Sequence, residues 1–146
     1  MKQIIYVSHD QLNAKYGALK NADPKSDLIV LVQSDRMVTG DHWNKIRLYF
    51  LISSARHFAQ ELKDAGFTVI YQKAATTVDG LKIVQSEYKN LPITACAPSS
   101  FRLHKSLSDF GVKFVESDFF LTPRSLFKEW ADNQKSYLME SFYRNQ

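Results

Sequence analysis

Five short apolar runs, each too brief for a stable helix, constrain this chain more than any other feature. Ile4-Ile5-Tyr6-Val7 is the first, and Leu28 to Val32, Phe67 to Tyr71, Ile93 to Ala97 and Val112 to Val115 repeat the signature. Continuous apolar runs of this length suit strands buried on both faces. Helical or loop sequence separates each run from the next, and strands joined by crossovers form a parallel sheet. The pattern therefore predicts an α/β chain with a doubly wound, five-stranded parallel sheet, its first strand central.

The crossover segments carry helical signals of unequal strength. Asp41 to Gly66 reads as one long helix of on the order of 36 Å, with Asp41 as N-cap and Gly66 at the C-terminal stop. Its second half has one apolar stripe: Leu51, Ile52, Ala55, Phe58, Ala59 and Leu62. Its first half is apolar around more of its circumference, at Trp43, Ile46, Tyr49 and Phe50, so something besides the sheet is expected to cover it. Val78 to Lys89 forms the next helix, capped by Thr76 or Thr77, and Ser99 or Ser100 caps another that Gly111 stops. Asp10 to Asp27 is interrupted by Gly17 and Pro24 and leaves room for a short helix at most. Beyond the fifth strand, Thr122 as N-cap and Pro123 at N1 open a helix, and a last one runs near Tyr137 to Tyr143. This C-terminal helical arm is apolar enough to pack, with the first half of the long helix as its expected partner.

The 146 residues fit one domain, and 45% hydrophobic residues supply a sizeable core. A formal charge of +4 without a run of like charges favours an ordinary solvated surface over a dedicated nucleic-acid face. The single cysteine, Cys96, excludes an internal disulfide and a Cys-ligated zinc or iron–sulfur site supplied by this chain alone. With no signal-peptide core after Met1 and no membrane-length apolar window, the expected location is cytoplasmic, with no membrane partner.

In a doubly wound sheet, ligands bind beyond the carboxyl ends of the strands near the switch in strand order. The rule nominates His9-Asp10-Gln11, Gln33-Ser34-Asp35, Gln72-Lys73, Pro98-Ser99-Ser100 and Ser117-Asp118. No G-x-G-x-x-G or P-loop pattern is present, which removes ordinary dinucleotide and P-loop chemistry. Ser99-Ser100 can either cap a helix or offer hydroxyls and backbone N–H groups to an anion. His9 and Asp10 leave their strand toward different sides, which argues against a proton-transfer pair. The four histidines lack metal-ligand spacing, and Cys96 sits in an apolar strand as a packed thiol. No catalytic residue and no metal ligand is nominated. Phe142-Tyr143-Arg144 is compatible with stacking on nucleic acid, but a packed amphipathic helix is the simpler reading.

A set of pieces in order along the whole chain is recognisable. They are Asp10-Gln11-Leu12, Ser53 with Arg56-His57-Phe58-Ala59, Glu61-Leu62, Phe120-Leu121, Phe127, Trp130-Ala131, Lys135, Met139-Glu140 and Phe142-Tyr143-Arg144. Together they resemble the N-terminal domain of the deoxyribodipyrimidine photolyase-related proteins, the bacterial iron–sulfur cryptochrome and (6-4) photolyase branch. The resemblance implies a Rossmann-like domain over residues 1–146, without the helical domain that holds FAD and a 4Fe–4S cluster in that family.

It also implies an antenna chromophore, 6,7-dimethyl-8-ribityllumazine, at the strand ends. Asp10, Gln11, Gln33, Ser34, Ser99, Ser100 and Phe101 are the cofactor-binding residues expected on that basis. The chain departs from the family pattern at several of these positions. His9 replaces a glycine, Gln33 and Met37 stand where glutamates are usual, and Ala97-Pro98-Ser99-Ser100-Phe101-Arg102 lacks both carboxylates of the family motif. The expected function is that of an isolated antenna-type domain of a flavoprotein for light-dependent DNA repair or blue-light sensing, non-catalytic on its own. Its expected partners are the helical photolyase domain, in cis or in trans, and DNA only through the full-length protein. The alternatives are a docking module with an empty cleft and a small nucleotide-directed enzyme.

Overall fold

The structure, a computed structural model, describes residues 1–40 and 43–144. Five strands form one all-parallel sheet: β1 (Gln3–Tyr6), β2 (Asp27–Ser34), β3 (Thr68–Ala74), β4 (Ile93–Cys96) and β5 (Lys113–Val115), in the order β3-β2-β1-β4-β5. The chain thus builds outward from β1 to β3, returns to the other side of β1 and continues to β5. The expected α/β architecture with a central first strand is what forms.

Strand periodicity divides the core in two. Ile4, Tyr6, Leu28, Val30, Val32, Ile93 and Ala95 face one side with Leu81, Val84 and Leu107, whereas Ile5, Val7, Ile29 and Leu31 face the other with Ala55, Phe58, Ala59 and Leu62. The first layer is supplied by α3 (Thr77–Glu87) and α4 (Phe101–Asp109), the second by α2 (Lys45–Asp64) and a 3-10 turn at Gly17–Leu19. A short helix the sequence reading did not anticipate, α1 (Asp35–Thr39), follows β2 directly.

The long helix is shorter at its start than expected. Asn44 caps α2, its Oδ1 accepting from the N–H groups of Ile46 at 2.8 Å and Arg47 at 3.4 Å. The nominated cap Asp41 lies outside the described residues, as does His42. Twenty residues make a helix of about 30 Å. Its end is as read: Gly66 takes φ +91°, and the Phe67 N–H reaches Leu62 O while the Gly66 N–H reaches Lys63 O. Gly111, at φ +90°, ends α4 through the same pair of bonds to Leu107 and Ser108.

Two expectations about the arm are corrected. Helix α5 (Arg124–Asp132) begins one residue later than expected, with extended Pro123 at the cap position in place of Thr122. Glu116 does the capping work instead, accepting from the Ser125 N–H at 3.3 Å and its hydroxyl at 2.9 Å. The arm also leaves the first half of α2 open, since Ile46, Tyr49 and Phe50 remain 79%, 75% and 67% exposed. It packs on itself: Phe142 of α6 (Met139–Arg144) is buried with its ring 5.1 Å from both Phe127 and Trp130. Aromatic edge-to-face contacts within the arm thus bury Phe142, while Leu126, Tyr137, Leu138, Met139 and Tyr143 stay exposed.

Candidate functional site

The carboxyl edge of the sheet is where the first turns of α1, α3 and α4 converge. Each is capped by a hydroxyl: Ser34 accepts from Met37 N–H at 3.3 Å, Thr76 from Asp79 N–H at 3.1 Å and Ser100 from Leu103 N–H at 3.4 Å. These caps, drawn from far-apart stretches of sequence, surround a cavity of about 500 Å³. From the β2 side, Ser34, Arg36 and Met37 line it, followed by Trp43. Thr76, Thr77, Val78 and Asp79 contribute from α3, and Ser100, Arg102, Leu103 and Ser106 from α4.

Buried Ser34 lies deepest, Met37, Trp43, Val78 and Leu103 are half-buried, and Arg36 and Arg102 are exposed at the mouth. The Asp79 carboxylate accepts the Thr76 hydroxyl at 2.7 Å. Tyr6, at the end of β1, is hydrogen-bonded to Ser8 and Thr77, and burial pushes its phenol up to about 12, so it remains neutral. Trp43 is stacked by the Arg47 guanidinium at 4.2 Å.

Of the nominated residues, Ser34 and Ser100 meet on this cavity. Gln33, one residue before Ser34 on β2, points to the opposite sheet face because successive strand side chains alternate. Its Oε1 accepts from the Tyr71 hydroxyl at 3.1 Å and from Arg56 Nη2 at 3.0 Å. Gln11 is buried and donates from Nε2 to Ala97 O at 3.2 Å, tying the loops after β1 and β4 across the switch in strand order. Asp10 accepts the Ser8 hydroxyl at 2.6 Å. Ser99 is exposed just ahead of α4, and Phe101, at its first position, is 80% exposed.

The sequence reading passed over Arg36, Asp79 and Ser106 and treated Trp43 and Thr76 only as helix residues. Ser34 followed by a short polar turn was the available signal, since a hydroxyl cap after a strand announces a helix start. The convergence itself had no local signal.

His9 and Asp10 are not paired with each other. His9 is buried, its Nε2 lies 3.4 Å from the Tyr71 hydroxyl, and that hydroxyl's proton is directed to Gln33. Burial lowers the His9 pKa from the usual 6.5, against a smaller opposing pull from Asp10. Because the unfolded chain then binds the proton more readily, stability is complete above the unfolded value and declines as pH falls through it toward the lower folded value. Urea unfolding between about pH 7.5 and 5.5 is expected to show this decline, and His9→Asn to flatten it. Equal slopes for the two proteins would contradict the assignment. Cys96 is buried and its thiol is pushed up by burial, consistent with a packed, unreactive group.

Among the described residues, no three His, Cys, Asp or Glu side chains gather as a metal site, and no helix is long and apolar enough to cross a membrane. What the cavity provides is a concave, mixed surface: an aromatic ring and aliphatic side chains inside, hydroxyls along the helix starts and two guanidinium groups at the mouth. Such a surface suits a flat polar molecule of moderate size.

Comparison with known proteins places the chain in a family. The family model described as deoxyribodipyrimidine photo-lyase-related protein matches residues 5–146. A (6-4) photolyase of Agrobacterium fabrum strain C58 is 32% identical over 158 aligned residues, which cover 99% of this chain and 31% of the relative. The chain therefore spans about a third of that relative's length. With its five-stranded parallel sheet and a family match over nearly every residue, the chain belongs to the deoxyribodipyrimidine photolyase-related family.

Proposed function

We propose that this chain is the antenna-type, chromophore-holding domain of a photolyase- or cryptochrome-like flavoprotein and is non-catalytic by itself. The observation that carries the reading is the cavity of about 500 Å³ at the carboxyl edge of the sheet. Its size is that of a small-molecule site, about 300–1,000 Å³. The residues fit 6,7-dimethyl-8-ribityllumazine: Trp43 and Met37 offer polarisable surface to a flat ring, and the Ser34, Thr77, Ser100 and Ser106 hydroxyls can meet polar ring and ribityl groups. Bound there, such a chromophore would absorb light and pass excitation energy to a flavin.

A 4Fe–4S cluster does not fit this chain, because four thiolates are needed and Cys96 is the single cysteine. FAD and the cluster belong, on this reading, to a helical domain acting in cis or in trans. The exposed Ile46, Tyr49 and Phe50 of α2 give that domain an apolar surface to meet, and DNA would be engaged through the assembled protein.

Titration with 6,7-dimethyl-8-ribityllumazine tests the proposal. Saturable binding is expected at micromolar concentration or tighter, and Met37→Trp, which adds bulk to the cavity wall, is expected to weaken it. Absence of binding at hundreds of micromolar would overturn the antenna role, and undiminished binding by Met37→Trp would overturn the placement.

A further inference from the structure

We infer that Arg47, which lies outside the cavity, is a positioning residue that sets the cavity's affinity for a flat ring by holding Trp43 as its stacking wall. The inference rests on the proposed chromophore role and adds a residue that does not touch the ligand. Trp43 is the one aromatic side chain among the described lining residues, so a flat ligand has no other ring there to stack on. It precedes Asn44, the N-cap of α2, and so stands outside the helix itself.

Arg47 supplies the support that the backbone does not. Its guanidinium lies over the Trp43 ring, 4.2 Å from the centroid. Arg47 is exposed and does not line the cavity, whereas Trp43 is half-buried and does. The guanidinium therefore covers the indole from outside and leaves the cavity side of the ring to a ligand. Asn44 Oδ1 also accepts from the Arg47 N–H at 3.4 Å, so the helix cap fixes the backbone from which the guanidinium reaches back. A cation is otherwise poorly placed here. The first turn of α2 has no acidic residue and carries Lys45 and Arg47 at the positive end of the helix dipole. The negative face of the indole offsets that repulsion and gives the guanidinium a reason to stack instead of extending into solvent. A ring immobilised before the ligand arrives removes part of the ordering cost of binding.

The test is a titration of the whole 146-residue chain with 6,7-dimethyl-8-ribityllumazine, read from the lumazine's own fluorescence, in the parent protein and in Arg47 and Trp43 variants. Arg47→Ala is expected to weaken binding about two- to fivefold, the scale of a cation–π contact at an exposed site. Arg47→Lys keeps the cation but not the planar stack, so its affinity should fall between the two. In a Trp130→Phe background, where Trp43 is the one tryptophan, Arg47→Ala is also expected to increase quenching of Trp43 by acrylamide. Alanine and lysine both favour helix, so urea midpoints of the Arg47 variants should stay close to that of the parent. The decisive arm is a double-mutant cycle with Trp43→Leu, which keeps an apolar wall but has no π face. In that background Arg47→Ala is expected to leave lumazine affinity unchanged, because Arg47 acts through the ring.

Lumazine bound equally well by the parent and by Arg47→Ala would overturn the inference and leave the chromophore role standing. The same loss with and without the Trp43 ring would overturn it equally, since Arg47 would then act by another route. Failure of the parent chain to bind the lumazine would overturn both.

Discussion

Leu81→Ala is expected to destabilise the protein by about 2–5 kcal/mol, the range for truncating a fully buried leucine. Leu81 has no exposed surface and packs in the layer where α3 meets Val30 and Val32 of β2. Truncation removes methyl groups from water-free contact and leaves a void that a sheet hydrogen-bonded on both sides of β2 is poorly able to close. Urea denaturation at neutral pH measures the loss. A cost below about 1 kcal/mol, the level of an ordinary surface change, would mean that α3 does not lie on this sheet face.

The neighbouring residue is expected to fail for the opposite reason. In a helix interior Gly→Ala ordinarily stabilises by about 1 kcal/mol. At Gly80 an added Cβ would stand 2.5 Å from Val32 Cγ1, 3.1 Å from Cγ2 and 3.4 Å from the Ala74 Cβ. Carbon atoms prefer about 3.5–4.0 Å, so the strand or the helix must move. Overpacking of this kind costs about 1–3 kcal/mol and exceeds the propensity gain. Gly80→Ala is therefore expected to be net destabilising and to displace the first turn of α3, which carries Thr77 and Asp79 into the cavity. Val32→Ala should rescue it, giving a favourable coupling in the double-mutant cycle. A stabilising Gly80→Ala would show that the close approach is absent.

These two residues also show what sequence conveys. The apolar runs that became β1 to β5 are visible because burial on both faces leaves no polar position in them. Gly66 and Gly111 announce helix ends because few other residues accept φ near +90°. Gly80, by contrast, sits inside a helical pattern with no turn to justify it, and its reason, contact with Val32, joins residues 48 positions apart.

The cap of α2 was misread because Asp41 and Asn44 are both competent N-caps three residues apart, and nothing local ranks them. The cavity was legible in part. The strand-end rule reached Ser34 and Ser100, but it could not show that Gln33 faces away until the register of β2 was fixed by its neighbours. Arg36 and Asp79 belong to first turns whose meeting is a property of the sheet order, β3-β2-β1-β4-β5, and of no single stretch. The arm misled for a related reason: its aromatic surface requires cover, and composition does not say that Phe127, Trp130 and Phe142 cover one another.

The central claim is that the cavity at the sheet's carboxyl edge holds a flat chromophore. Trp43 lines that cavity while the other tryptophan, Trp130, lies in the arm, so a Trp130→Phe protein reports from the site alone. Titration of that variant with 6,7-dimethyl-8-ribityllumazine, followed by Trp43 emission, is the direct measurement. Saturable quenching at micromolar concentration is the expected result. Unchanged Trp43 emission up to hundreds of micromolar would contradict it.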